Sequence, residues 1–407
     1  MTKVGIGFII TGVFLYFLAS QTQIGWLYLF DAIIWSSLVL SAIVSWYSLR
    51  LLKVERQVLL ATPALRSSQL GGPLEDDTIE IKLKVTNSGR MARYFVTVLE
   101  ECPFEQPEKR RRAFMLNKIG PKSVTAFPYK ALCYRRGHYK SASVTLQSSD
   151  PLGLIVRRRT FQLPLNLTVY PTYYQMQGLS VTDISWSDGS PITKSSAAAE
   201  FYGSREYQNG EPLKHIHWRN TARVGRFMLK EFERASYGSV KVAFPTKRSF
   251  GTGRDTTLEY SIKVAASLAR ICTDYGCSMD IVAGERHLGN AGWRQAMDFL
   301  ACLEVEGEAT FAELIRTLEP SQVVVAIVPG AESELIPSIS QLSNRGWRMV
   351  VVLLEGFAPN ETASELSFSM KGSNIHIISC SPGNLEKAIA ELSNFLSSAG
   401  RLGASVG

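Results

Sequence analysis

The first fifty residues decide what the rest of the chain can be. Residues 4–20 (VGIGFIITGVFLYFLAS) carry no charge over about one bilayer thickness of helix. After the polar break Gln21-Thr22-Gln23, a second apolar run extends from Ile24 to Leu49, interrupted only by Asp31 and a few serines. Trp26, Tyr28, Trp46 and Tyr47 sit near its ends, where an interfacial aromatic belt belongs. Residues 1–50 therefore read as a transmembrane helical hairpin. A secretory signal fits poorly, because the first run is long for one and no small-x-small cleavage site precedes a polar start. Lys3 precedes the first helix and Arg50, Lys53 and Arg56 follow the second, while the connecting turn has no Lys or Arg. The positive-inside rule then places both ends of the hairpin, and the soluble part after it, at the cytoplasmic face of the cell (inner) membrane. Asp31 is expected near the outer interface, solvated there.

The remainder is ordinary globular sequence: of 407 residues, 45% are hydrophobic and 20% charged, room for two or three domains. The net charge of +8 fits a protein lying against anionic lipid, and no nucleic-acid partner is read from it. Six cysteines (102, 133, 272, 277, 302, 380) form no CxxC pair. They predict neither a disulfide framework nor a zinc cluster, and they suit a reducing compartment.

Residues 51–75 read as a basic linker and 76–175 as a small β-sandwich of Ig-like size. The segment 78–86 (TIEIKLKVT) alternates apolar and polar residues, Asn87-Ser88-Gly89 supplies a turn, and 93–100 resumes the alternation. Further strands are expected at 123–129, 139–147, 153–161 and 165–170. Lys109-Arg110-Arg111-Arg112 reads as a loop, solvated or facing lipid. From 239 to 400 the pattern becomes strand–helix alternation. Strands are expected at 240–244, 279–283, 322–328, 348–354 and 374–379, with helices at 256–274, 291–318, 331–344 and 383–398. Strands apolar throughout and separated by helices predict a doubly wound parallel sheet.

Between these regions, residues 176–238 hold the densest motif: EFYGSREYQNGEPLKHIHWRNTARVGRFMLKEFE, from Glu200 to Glu233. With Arg136-Gly137-x-Tyr139 and Asp150-Pro151-Leu152-Gly153-Leu154 upstream, it resembles the family known as domain of unknown function 58. The places carrying the resemblance include Arg205, Glu206, Tyr207, Gly210, Glu211, Trp218, Arg223 and Lys230. The resemblance implies two N-terminal membrane helices, a von Willebrand factor A-like domain and association with MoxR-type AAA+ ATPases, sometimes with transglutaminase-like membrane proteins. It implies no reaction.

Physically, Arg205, Arg219, Arg223 and Lys230 interleave with Glu206 and Glu211. They can knit an ion-pair brace around Trp218 and Tyr207, or offer Arg and Trp as docking anchors. His215 and His217 lack a third ligand nearby in sequence, so no metal site is expected. Metal-binding A domains carry Asp-x-Ser-x-Ser after the first strand, whereas this chain has Pro245-Thr246-Lys247-Arg248-Ser249. Lys247 and Arg248 bring positive charge where a cation would sit, which leaves an anion-binding loop as an alternative. Gly251-x-Gly253 reads as a flexible loop rather than a phosphate cradle. No Gly-x-Ser-x-Gly elbow, HExxH pair or Walker loop occurs. The sequence thus predicts a non-enzymatic, cofactor-free membrane scaffold, with a hydrolase-type enzyme as the alternative reading.

Overall fold

The computed structural model describes residues 1–59, 70–175, 200–206, 218–233, 239–275, 277–308, 313–314, 323–330, 348–358 and 375–402. The chain divides into two compact units: Met1–Thr172 with Met297–Leu303, and Tyr173–Ala296 with Glu304–Gly407.

The first unit begins with α1 (Lys3–Thr22) and α2 (Gly25–Leu49), both long and apolar enough to cross a membrane. Thr2 caps α1 by accepting the Gly5 N–H, and Gln23 ends it in the left-handed region. Large apolar side chains such as Ile10, Phe14, Phe17, Phe30 and Leu40 are exposed, whereas a core helix of a soluble protein would cover them. Apart from Leu38 and Leu49, the buried positions are small or polar: Gly5, Gly12, Ala19, Asp31, Ser41, Ser45 and Ser48. Small residues let helices approach closely in an apolar solvent. Asp31 is buried rather than solvated, and its Oδ1 has no hydrogen-bond partner among the described residues.

Two antiparallel sheets follow. The strands are β1 (Leu52–Leu59), β2 (Thr78–Asn87), β3 (Arg93–Glu101), β4 (Arg111–Ile119), β5 (Val124–Leu132), β6 (Gly137–Ser149) and β7 (Val156–Val169). One sheet has the order β1-β2-β5, the other β4-β3-β6-β7. Alternate residues of both enter a single core, Leu52, Ile81 and Leu83 from the first sheet and Val96, Val98 and Leu146 from the second. The expected sandwich is present, with three differences. Leu52–Leu59 is a strand paired along its whole length with β2, not part of a linker. The strands expected at 153–161 and 165–170 are one, β7. The basic run leads into β4 instead of forming a loop.

In the second unit a two-stranded sheet, β8 (Glu200–Glu206) with β9 (Met228–Glu233), flanks the short α3 (Trp218–Val224). The larger sheet starts with β10 (Ser239–Phe244). A hairpin of β11 (Gly251–Thr252) and β12 (Asp255–Thr256) leads to α4 (Thr257–Tyr275). Then come β13 (Ser278–Ala283), β14 (Arg286–Leu288), α5 (Trp293–Ala301), β15 (Val323–Pro329), β16 (Arg348–Leu354), β17 (Ile375–Cys380) and α6 (Leu385–Leu402). The order is β14-β13-β10-β15-β16-β17, all parallel except the edge strand β14. β15 is buried at every residue, as its unbroken apolar run requires. Helix α5 stops at Ala301 and the following segment turns at Gly307 (φ 84°), so the helical stretch expected over 291–318 is interrupted; residues 313–314 are helical, and 309–312 and 315–318 lie outside the described residues. The helix expected at 331–344 lies outside the described residues.

Candidate functional site

The family-type motif starts on backbone pairing. β8 and β9 run antiparallel with Arg205 opposite Leu229, Ser204 opposite Lys230 and Glu206 opposite Met228; an irregularity falls between Phe201 and Gly203. Arg205 and Lys230 therefore sit one ladder step apart. Helix α3 ends at Gly225, whose φ of 72° suits glycine and whose N–H donates to the Thr221 carbonyl at 2.9 Å. The Met228 N–H donates to the Thr221 hydroxyl at 3.0 Å, fixing the exit toward β9. On this helix Trp218 is 66% exposed, and Arg219 and Arg223 are exposed as well. Tyr207, Gly210, Glu211, His215 and His217 lie outside the described residues.

The second candidate is the loop at the carboxyl end of β10, next to the point where strand order reverses, the usual ligand position in such sheets. Its chemistry is largely turned inward. Thr246 is buried and its hydroxyl donates to the Glu306 carbonyl at 2.8 Å. The Gly251-x-Gly253 stretch is a tight hairpin, not a loose loop: Gly251 opposes Thr256, and φ is 103° at Gly251. This hairpin caps α4, because the Glu259 N–H donates to Thr256 Oγ1 and the Leu258 N–H to Ser249 Oγ. The amides that could cradle a phosphate are thus satisfied from within the chain. Lys247 and Arg248 remain exposed on the loop. Among the described residues no cluster of three or more His, Cys, Asp or Glu is arranged to hold a metal.

The two upstream motifs tie the first unit together. Arg136 is buried and donates to the Leu300 and Leu303 carbonyls at 3.1 and 2.6 Å, at the C-terminal end of α5 where a cation is favoured. The Tyr139 hydroxyl donates to the Arg135 carbonyl at 2.9 Å, folding the strand start back on itself. The Asp150 turn holds the helix pair. Asp150 Oδ2 accepts from the Ser41 hydroxyl (2.9 Å) and the Leu152 N–H (3.0 Å), and Oδ1 accepts from the Ile155 N–H (2.7 Å). Thr2 donates to the Gly153 carbonyl at 2.7 Å and Ser45 to the Ile155 carbonyl at 3.1 Å. Burial raises the Asp150 pKa, but the Ile155, Ser41, Leu154 and Leu152 donors outweigh it and hold the carboxyl below its usual value.

Sequence reading missed two buried cations. Arg56, counted above among the topology charges, is 1% exposed and pairs with the equally buried Glu100 at 2.6 Å. The Tyr129 hydroxyl donates to the same oxygen of Glu100 at 2.9 Å. Burial pushes Glu100 above the usual carboxylate range, opposed by Arg56 and by the Tyr129 hydrogen bond. Arg93, 1% exposed, lies over the Tyr47 ring of α2 at 3.7 Å. The basic run is tied down too, Arg112 to Glu105 at 2.5 Å and Arg111 to Glu101 at 3.7 Å. The described cysteines are free thiols, and burial raises Cys277 to about 11 and Cys380 to about 12.

Comparison with known proteins meets the motif where it stands. Residues 203–291 match the family described as "Protein of unknown function DUF58". The uncharacterized protein YeaD of Bacillus subtilis (strain 168) is 32% identical over 190 residues, 43% of this chain and 47% of that protein. The chain thus spans about half the length of that curated relative. Among solved structures, the alkylpurine DNA glycosylase AlkC of Pseudomonas fluorescens aligns over 33% of this chain and 38% of its own, with TM-score 0.15 and 13% identity. The sporulation control protein Spo0M of Bacillus subtilis aligns over 27% and 48%, with TM-score 0.15 and 10% identity. Scores this low carry no argument about fold or activity.

Proposed function

We propose that this chain is a non-enzymatic membrane-anchored scaffold. In this reading α1 and α2 span the cell membrane with both ends inside, and the second unit is an A-like domain offered to a protein partner, a MoxR-type AAA+ ATPase. The observation that carries it is the exposure of Trp218, Arg219 and Arg223, all on the short helix α3. Tryptophan and arginine dominate interface energetics once desolvated. The strand order of the larger sheet, with its reversal beside β10, is that of doubly wound α/β folds and supports the A-like assignment. Orientation is supported by Lys3, Arg50 and Lys53 together with Arg157, Arg158 and Arg159, which follow the turn bonded to the helix pair.

The test is affinity capture of tagged full-length protein from native membranes beside Trp218→Ala and Arg219→Glu. Capture of a MoxR-type ATPase by the native protein, reduced at least about thirtyfold in either variant while its melting temperature is unchanged, supports the scaffold (about 2 kcal/mol per anchor). Equal capture by all three removes α3 from the interface.

A further inference from the structure

The four-stranded sheet meets the helix pair at one end, and the ladder register shows what else lies there. The turn 150–155 takes hydrogen bonds from Thr2, Ser41 and Ser45, and Arg93 stacks on Tyr47. Ser148, at the foot of that turn, pairs with Val96 on one side and Arg157 on the other. Tyr94 and Phe95, just ahead of Val96, and Lys118, opposite Tyr94, share this end of the sheet. Leu152 at the turn is 58% exposed, Tyr94 48% and Phe95 46%. Lys118, Arg157 and Arg158 are exposed around them.

Height follows from the contacts. The Thr2 N–H, at the cap of α1, donates to the Leu154 carbonyl at 3.1 Å, so the turn lies level with the start of the first apolar span. A spanning helix places that level at the bilayer interface, where aromatic and leucyl side chains flanked by cations are favoured. At the other end of β3, about 27 Å away by strand rise, Arg111 and Arg112 are matched with Glu101 and Glu105. At the helix end, Lys118, Arg157 and Arg158 are exposed alongside Leu152, Tyr94 and Phe95.

We propose that this end of the sandwich is a lipid-binding face. Leu152, Tyr94 and Phe95 enter the boundary between headgroups and acyl chains, and Lys118, Arg157 and Arg158 hold the phosphates of anionic lipids. The inference rests on the membrane-spanning reading of α1 and α2. Continuity with those helices selects a bilayer as the occupant, since the surface is already delivered to it.

The test uses full-length protein in nanodiscs of phosphatidylcholine with or without phosphatidylglycerol, carrying the photo-crosslinker benzoylphenylalanine at Leu40, Phe95 or Arg111 in turn. Lipid adducts are expected at Leu40 and Phe95 and not at Arg111. Removing phosphatidylglycerol, or introducing Arg157→Glu with Arg158→Glu, lowers the Phe95 yield at least about fivefold while the Leu40 yield holds. A matching melting temperature certifies that the charge-reversed protein is folded. Adducts at Leu40 with none at Phe95 overturn the lipid-binding face and leave the anchor intact. A Phe95 yield indifferent to lipid charge and to the reversal overturns the phosphate assignment. No adducts at Leu40 overturn the anchor and this face with it.

Discussion

Arg56 and Glu100 form an ion pair that neither side chain could survive alone at 1% exposure. Glu100→Gln strands a guanidinium in the sandwich core and is expected to cost about 3–5 kcal/mol, read by urea unfolding of full-length protein in micelles. The double replacement Arg56→Met with Glu100→Leu should recover most of that loss, because it removes the charges together. Asp150 behaves differently, since its donors hold its folded pKa below the ordinary value. The unfolded chain binds the proton first as pH falls, so the Asp150 contribution is complete above about pH 4 and drains below it as pH passes through the folded pKa. Melting temperatures of the native protein and Asp150→Asn should therefore differ by a constant amount near neutrality, about 2 kcal/mol in stability, and converge on acidification. A gap that persisted unchanged to pH 2 would show that the carboxylate charge plays no part. Neither site was legible in the sequence. Arg56 looked like one of several linker charges because its partner is 44 residues away, and Asp150 finds Ser41 across 109.

At the scale of elements, legibility followed burial. β16 falls where its apolar run placed it, and β10 and β15 within a residue, because buried parallel strands need no alternation that charge could obscure. β1 and β4 escaped notice for the opposite reason. Both lie at sheet edges with exposed charges, Lys53 and Glu55 on β1 and Arg111 and Lys118 on β4, so the charge pattern of an edge strand mimicked a linker and a loop. The charged motif around Trp218 was legible as a pattern, but the exposure of Trp218, on which a bracing or a presenting role turns, is not encoded by periodicity. Close approach is likewise invisible from sequence. A Cβ at Gly5 would overlap the Leu154 carbonyl, so Gly5→Val should part α1 from the turn beneath it. Hydrogen exchange at residues 152–155 is expected to rise at least about tenfold, equivalent to about 1.4 kcal/mol of local opening; unchanged protection would mean that the helix shifts without loss.

For the whole molecule, the hairpin belongs to the fold of the sandwich. Leu49 lies in the same core as Leu52 and Val85, and Tyr47 covers the guanidinium of Arg93. Excising residues 1–50 should therefore lower the melting temperature of the sandwich by about 4–8 °C, the equivalent of about 2 kcal/mol, as read by near-ultraviolet dichroism. A fragment melting at the native temperature would reduce the hairpin to a tether. The junction also imposes an order of assembly. The hydroxyl of Thr2 meets a carbonyl 152 residues downstream, so the helices leave the ribosome long before the turn that grips them has been synthesised. On the spanning reading proposed above, the sandwich would close on a template already embedded in lipid, and insertion would be a step in the maturation of the soluble part.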